Sequence, residues 1–403
     1  MSTSASKQLL IAASLANLPF GTIYAFSVLL KPMESALSLQ RADMTLVFGL
    51  ASIVLTAGMN IAPSLYRHLS IPRLITAASL VAATGLALTA VAESKIGLIF
   101  SYSVLFGLGG GIVFTSVQQL VNQFDFPNRG LINGYVVSLY PLGAMFGAPL
   151  MGWSIESIGL RQTLGLLAAV IGCSGVFASF LIRHTAKQSR QHKHPAMAPE
   201  RMTQWPLFLR LSAVFTLAAS AGLMVMSQAA GIMQAYGAGL GSALGATTLI
   251  TAAIAAARIG GGWLIDRFAL PHVMAAAQLW ALCGAVLLSL WPSAQSALPG
   301  LAMIGMGYGL ISGASAGAIA QAWPQSAFGL VASRLYIGWC LAAICLPVIA
   351  AGLYDASGNY RHAVLIAGAV NLLAMGLALR LPSLGKKPPK RCLKVPIESR
   401  KRS

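Results

Sequence analysis

Residues 107–116 read GLGGGIVFTS, and residues 305–314 read GMGYGLISGA. Both carry Gly-x-Gly-x-Gly in an apolar setting, 198 residues apart. Other pairs keep almost the same spacing. Tyr66-Arg67-His68-Leu69-Ser70-Ile71-Pro72 corresponds to Asp266-Arg267-Phe268-Ala269-Leu270-Pro271, and Phe126-Pro127 to Trp323-Pro324. Pro149 corresponds to Pro347, Glu156 to Asp355 and Arg161 to Arg361, all at offsets between 197 and 200 residues. So many coincidences at nearly one offset mark a duplicated unit. The one long polar segment, RHTAKQSRQHKHPAMAPERMTQ (183–204), separates the copies.

The unit is a membrane bundle. Hydrophobic residues make up 57% of the chain and charged ones 9%, against roughly 25% charged in soluble domains; mean hydropathy is +0.74. A hydrocarbon core of ~30 Å takes about 20 apolar residues per helix, and backbone inside it is helical or a closed barrel. The apolar runs here are continuous rather than alternating, which favours helices. Windows free of Asp, Glu, Lys and Arg fall at 8–30, 44–66, 74–92, 96–124, 130–155, 162–182, 211–257, 273–333, 335–354 and 362–379. Two of them, 211–257 and 273–333, hold a helical hairpin each, broken at 238–241 (AGLG) and at 292–300 (PSAQSALPG). The expectation is an all-α membrane protein of twelve helices in two pseudo-symmetric six-helix bundles. The first spans residues 1–183 and the second 205–382, with a cytoplasmic linker at 184–204 and a basic tail at 383–403.

The formal charge of +18 is distributed as membrane topology requires rather than as a nucleic-acid surface. With the N-terminus inside, 21 of the 27 Lys and Arg fall on the cytoplasmic side, which is the positive-inside asymmetry. The tail KKPPKRCLKVPIESRKRS (386–403) suits anionic lipid headgroups or plain solvation. Cys173, Cys283, Cys340 and Cys345 lie in helices and Cys392 in the tail, so no disulfide framework is expected. The apolar run up to Leu30 lacks a small-residue cleavage site and reads as a retained first helix. The expected location is a plasma membrane, of the bacterial inner-membrane kind, with both termini cytoplasmic.

A duplicated six-plus-six chain with both ends inside resembles the major facilitator superfamily over its whole length. That family carries a Gly-x-x-x-Asp-Arg-x-Gly-Arg-like loop between helices 2 and 3 and a copy between helices 8 and 9. The second copy is recognisable here as Gly262-Trp263-Leu264-Ile265-Asp266-Arg267; the first, Ala62-Pro63-Ser64-Leu65-Tyr66-Arg67, lacks the acid. The resemblance implies conformational gating by Asp266 and Arg267, with Arg67 in the first copy of the loop and Arg129 between helices 4 and 5 as further gating candidates; ordinary helix-end charges are the alternative for Asp266 and Arg267. FPNRGLINGY (126–135), GTIYAFSVLL (21–30) and Arg258 resemble the oxalate:formate antiporter and monocarboxylate transporter-like branch. Gly134, Gly143, Gly147, Pro149 and Gly152 resemble the antiporter glycine–proline motif with one residue inserted, and close helix packing explains them equally well.

Arg258 stands eight residues before Asp266 in TAAIAAARIGGGWLIDRF (251–268), ~12 Å along a helix and near the midplane. A central arginine there costs ~2.5–3.5 kcal/mol. All nine acids (Glu34, Asp43, Glu93, Asp125, Glu156, Glu200, Asp266, Asp355, Glu398) fall in loops, tails or helix ends, so none is available to pair with it. The missing anion is then the cargo, and guanidinium suits a carboxylate bidentately. The competing reading is a structural arginine bonded to carbonyls of a broken neighbouring helix. On its own helix face lie Ile254, Ala255, Gly261 and Gly262. The three small residues leave room for a ligand or a close helix partner, and Ile254 would supply a dry wall. Tyr24, Gln118, Tyr140, Tyr308, Tyr336 and Trp339 complete the candidate substrate site, each an apolar body with a polar tip or a packed residue. Tyrosines on helices 1 and 5 occur at substrate sites of the family that the chain resembles, which favours Tyr24 and Tyr140. Its oxalate exchangers carry a lysine on helix 11 where this chain has Trp339; one fixed cation favours a monocarboxylate over a dianion.

The expected activity is secondary active transport of a small organic anion by alternating access, as an exchanger or a proton-linked carrier. His68, His184, His192, His194, His272 and His362 lie in loops or at helix ends, so exchange, which needs no buried titrating group, fits best. Efflux of drugs or organic cations is the alternative within transport and lacks an embedded carboxylate; a transporter-like sensor is the alternative outside it. An enzyme is not expected. GASAG (313–317) matches a nucleophile elbow only in letters, because it lies inside an apolar helix. No cofactor or metal is expected, His192-Lys193-His194 reading as charged linker. The expected partners are the substrate anion and membrane lipids, with a monomer as the working unit.

Overall fold

A computed structural model of the chain describes residues 3–188 and 204–384. Twelve of its helices are long and apolar enough to cross a membrane. They are α1 (Ala5–Leu37), α2 (Arg41–Leu65), α3 (Ile71–Ala90), α4 (Lys95–Asn122), α5 (Arg129–Ile158), α6 (Leu160–His184), α7 (Trp205–Ala235), α8 (Gly241–Ile265), α9 (Leu270–Leu290), α10 (Ala294–Ala322), α11 (Gln325–Ser357) and α12 (Arg361–Leu379). The number and the all-α character are those that the apolar windows require. The basic tail, His192 and His194, Cys392, Glu200 and Glu398 lie outside the described residues.

Two boundaries differ from expectation. The turn between α9 and α10 is Trp291–Ser293 rather than 292–300, because Ser293 caps α10. Its hydroxyl accepts the Ser296 N–H at 3.3 Å and the Ser296 hydroxyl accepts the Ser293 N–H at 3.2 Å. A reciprocal cap starts the helix ahead of Pro299, which then sits inside it. The sixth helix also runs on to Gln188, past the Arg183 boundary read from composition.

α1 and α4 depart from α geometry within their length, and α11 does so in its first turn, Gln325–Ala327. Proline has no N–H, and α1 tightens into a 3-10 stretch over Pro19–Ala25, which carries Tyr24. The wider π stretch Ile99–Phe106 in α4 bonds to α2 through the Ser103 hydroxyl, 2.7 Å from the Val47 carbonyl.

Within the first six helices α3 packs on α6 and α2 on α4; within the last six α9 packs on α12 and α8 on α10. The two sets meet where α5 lies along α8 and α10, and where α11 lies against α2 and α4. Hydrogen bonds joining them gather at the end of the bundle where α6 finishes and α7 begins, the linker end, and at mid-depth. Asn60 Nδ2 donates to the Ser333 carbonyl at 3.0 Å, and the Gly130 and Leu131 N–H groups donate to Asp266 at 2.8 and 2.9 Å. Toward the far end the same faces part. On α8, Gly262 packs against α5, Ala255 is buried, and Thr248 and Gly241 on the same stripe are exposed. On α2, Thr56 is buried, the space beside Gly49 is open and Thr45 is exposed. The two sets of helices are joined at the linker end, and the stripes of α8 and α2 are uncovered toward the far end.

Candidate functional site

Arg258 is 3% exposed. Its Nη1 donates to the Val137 carbonyl of α5 at 2.7 Å and its Nη2 to the Tyr308 hydroxyl of α10 at 2.9 Å. The guanidinium carbon lies 5.2 Å from the centre of the Tyr308 ring. Val137 is free to accept because the residue four positions on is Pro141, which has no N–H to complete the helical bond. A broken neighbouring helix therefore does hold the arginine, but with one carbonyl. A guanidinium carries five N–H donors, and Nε has no partner. Tyr308, Tyr24 and Tyr336 are the groups that act on the cation electrostatically, and none of them is an acid.

Two of the small residues on the Arg258 face, Gly261 and Gly262, are points of close helix contact. A Cβ on Gly261 would stand 2.0 Å from the Leu310 carbonyl of α10, and one on Gly262 would stand 2.1 Å from the Gly130 carbonyl of α5. Ile254 packs against Gly305 of α10 and forms no wall of an open space. Of the two uses that small residues allowed, Gly261 and Gly262 realise the close helix partner.

Aromatic side chains from both sets of helices surround mid-depth. Tyr24 lies 6.0 Å, ring centre to ring centre, from both Tyr140 and Trp339. Phe114 of α4 lies 4.7 Å from Tyr140 and 5.0 Å from Tyr336, and Phe215 of α7 lies 5.9 Å from Tyr336. Tyr140 spends its hydroxyl on the Gly110 carbonyl at 2.9 Å, so it presents an apolar wall rather than a free donor. Gln118, 1% exposed, stands beside the Tyr336 hydroxyl, and its Nε2 has no partner. Trp339, 3% exposed, has an unpartnered Nε1. Three buried nitrogens of this cluster, on Arg258, Gln118 and Trp339, thus make no hydrogen bond of ordinary geometry to the described residues, although the Tyr336 hydroxyl stands beside Gln118 and the Tyr24 hydroxyl beside Arg258. A buried N–H left without an acceptor costs ~1–3 kcal/mol.

Of the four expected gating residues, Asp266 reaches the other set of helices: its two carboxylate oxygens take the Gly130 and Leu131 amides and cap α5. Arg267 stays on its own segment, stacked 4.0 Å over Trp263 and donating to the Trp263 carbonyl. Arg129 pairs with Asp125, which also accepts from Gln325 Nε2 of α11 at 2.9 Å. Arg67 is exposed, with no hydrogen bond or ion pair to the described residues. The glycine–proline stretch of α5 is packing surface: Gly143 meets the Leu18 carbonyl of α1, and Gly134 the Arg258 carbonyl of α8. Gly313 of GASAG likewise meets the Arg258 carbonyl. Sequence reading missed Phe114, Phe215, Val137 and Gln119, and Pro141 within an apolar window was the one available signal for Val137.

Residues 120–268 and 211–399 match the family model of the major facilitator superfamily. The chain is 23% identical to the MFS-type transporter YhjX of Escherichia coli (strain K12) over 344 residues, 83% of this chain and 85% of that one. It is 24% identical to monocarboxylate transporter 13 of Rattus norvegicus over 380 residues, 91% of this chain and 86% of the other. Among solved structures, the proton:xylose symporter XylE bound to 6-bromo-6-deoxy-D-glucose aligns with a TM-score of 0.71 at 13% identity, covering 95% of this chain and 97% of that one. The transporter FucP in its outward conformation aligns at 0.65 and 16%, covering 93% and 98%. Members of the family bind small-molecule substrates and act as monomers. With twelve spanning helices and a match through most of its length, this chain belongs to the major facilitator superfamily and is a multi-pass membrane transporter rather than an enzyme.

Proposed function

We propose that the protein carries a small organic anion, a monocarboxylate, across the membrane by exchange. One observation supports this above the rest: a buried guanidinium beside tyrosine hydroxyls, with incompletely used N–H donors on Arg258, Gln118 and Trp339 and no carboxylate among the described residues facing it. Such a cluster asks for a ligand made of acceptors, and a carboxylate fits while an organic cation does not. The name monocarboxylate transporter 13 on one relative points the same way. With a single fixed cation, a monoanion neutralises the site and a dianion leaves net charge buried.

The transport cycle follows from that imbalance. The two bundles, residues 1–183 and 205–382, rock about the site, and the far end admits the anion. An empty buried arginine is costly in an occluded state, so closure is favourable chiefly with cargo aboard. Among the described residues no acid or histidine lies at mid-depth, which suits anion-for-anion exchange. The positive-inside asymmetry supports a cytoplasmic linker end, in the bacterial inner membrane expected for this chain.

Exchange of labelled formate, acetate and lactate, with oxalate and a lipophilic cation as controls, tests the reading in proteoliposomes. Arg258→Gln is expected to lower monocarboxylate exchange about tenfold to a hundredfold, the scale of losing hydrogen bonds to a charged group. Unchanged exchange in that variant sinks the site assignment. Binding without flux in the parent protein would make it a sensor.

A further inference from the structure

The duplicated halves close their linker ends differently. Asp266 caps the start of α5 by accepting from Gly130 and Leu131. Position 66 is its counterpart in the first half, at an offset of 200, and Gly329 of α11 is the counterpart of Gly130, at 199. Tyr66 has no carboxylate to offer. Its ring lies 3.3 Å from where a Cβ of Gly329 would stand, and its hydroxyl has Ser116 as a neighbour. The α11 amide is nonetheless satisfied. Gln119 of α4 reaches across, its Oε1 accepting the Gly329 N–H at 2.7 Å and its Nε2 donating to the Gln325 carbonyl at 2.9 Å. Gln119 is buried, and no other orientation of its amide serves both partners.

We propose that Gln119 is the latch that holds α11 closed at the linker end, in place of the acid that position 66 lacks. The proposal needs the halves to part at the linker end during transport, and it is independent of what the substrate is. At the helix-start amides, closure on the α5 side is charge-assisted while closure on the α11 side rests on the neutral Gln119 bonds, the weaker kind. Asp125 adds only a solvent-exposed contact to the Gln325 side chain. The α11 side is therefore the first to release. That helix carries Tyr336 and Trp339, and the residue beside the latch, Gln118, stands against Tyr336.

The readout is labelling of Ser333→Cys by an impermeant maleimide in nanodiscs, quantified at that position by peptide mass spectrometry. Ser333 is 0% exposed and lies at the α2–α11 contact. Adding Gln119→Ala should raise the labelling rate about tenfold, as expected when two buried hydrogen bonds are lost. Gln119→Glu keeps the acceptor for Gly329 and loses the donor to Gln325, so it should give an intermediate rise. Tyr66→Asp in the Gln119→Ala background should return the rate to the parent value, because it restores a carboxylate beside Gly329. An unchanged rate in a monodisperse Gln119→Ala sample overturns the proposal, and so does a raised rate that Tyr66→Asp fails to lower. If Gln119→Ala does not purify, an unchanged rate in Gln119→Glu overturns it equally.

Discussion

At the scale of single residues, chemistry that is rare inside a membrane was the most legible. One arginine in an apolar run, together with acids confined to helix ends, marks Arg258 without any coordinates. Its neighbours were less legible, because a tyrosine or phenylalanine in an apolar helix looks alike whichever way it faces. Tyr140 shows the difference, since its hydroxyl is consumed by the Gly110 carbonyl. Trp339, 6.0 Å from Tyr24, occupies the place where a second cation would stand in the proposed site. Trp339→Lys would place a second cation there. Monocarboxylate exchange should fall, and oxalate should become about tenfold more effective as a competitor relative to formate, equal to ~1.4 kcal/mol of altered discrimination. Competition assays in proteoliposomes read this directly, and an unaltered ratio would remove Trp339 from the site. Arg258→Lys should recover less exchange than its charge alone would allow, because an ammonium lacks the planar fork.

At the scale of elements, prolines shape the site by withholding donors. Pro141 leaves the Val137 carbonyl for Arg258, and Pro19 begins the tightened stretch that carries Tyr24. Pro141→Ala returns an N–H to α5 that competes for Val137. The apo protein should lose stability by ~1 kcal/mol as Arg258 gives up a partner, while the rise in Tm caused by saturating formate should grow. Thermal unfolding with and without formate checks this; an equal rise in parent and variant would show that Arg258 does not depend on the broken helix. Small residues, by contrast, announced close contact without saying with whom. Gly261 and Gly262 could have bordered a ligand, and it is their backbone neighbours, Leu310 and Gly130, that show two helix crossings instead.

At the scale of the whole molecule, closure depends on how nearly two helices approach. Gly262 of α8 meets the Gly130 carbonyl of α5 where a Cβ would stand 2.1 Å away. Gly262→Val should keep the linker end from closing, so exchange should fall by more than about tenfold while Ser333→Cys becomes labelled more readily. Full exchange in that variant would show that the crossing is not required for transport. Asp266 and Gln119 secure the same closure from the two sides, one with charge and one without.

The amino-acid sequence by itself determined the twelve spanning helices, the duplication and the unpaired arginine, because each depends on composition and spacing along one chain. Tertiary structure alone decided which backbone carbonyl meets that arginine, which buried donors are left over, and that Gln119 takes the Gly329 amide of α11. Those outcomes depend on the angle and depth at which helices cross, and a buried polar group is satisfied or orphaned by neighbours that sequence spacing does not name.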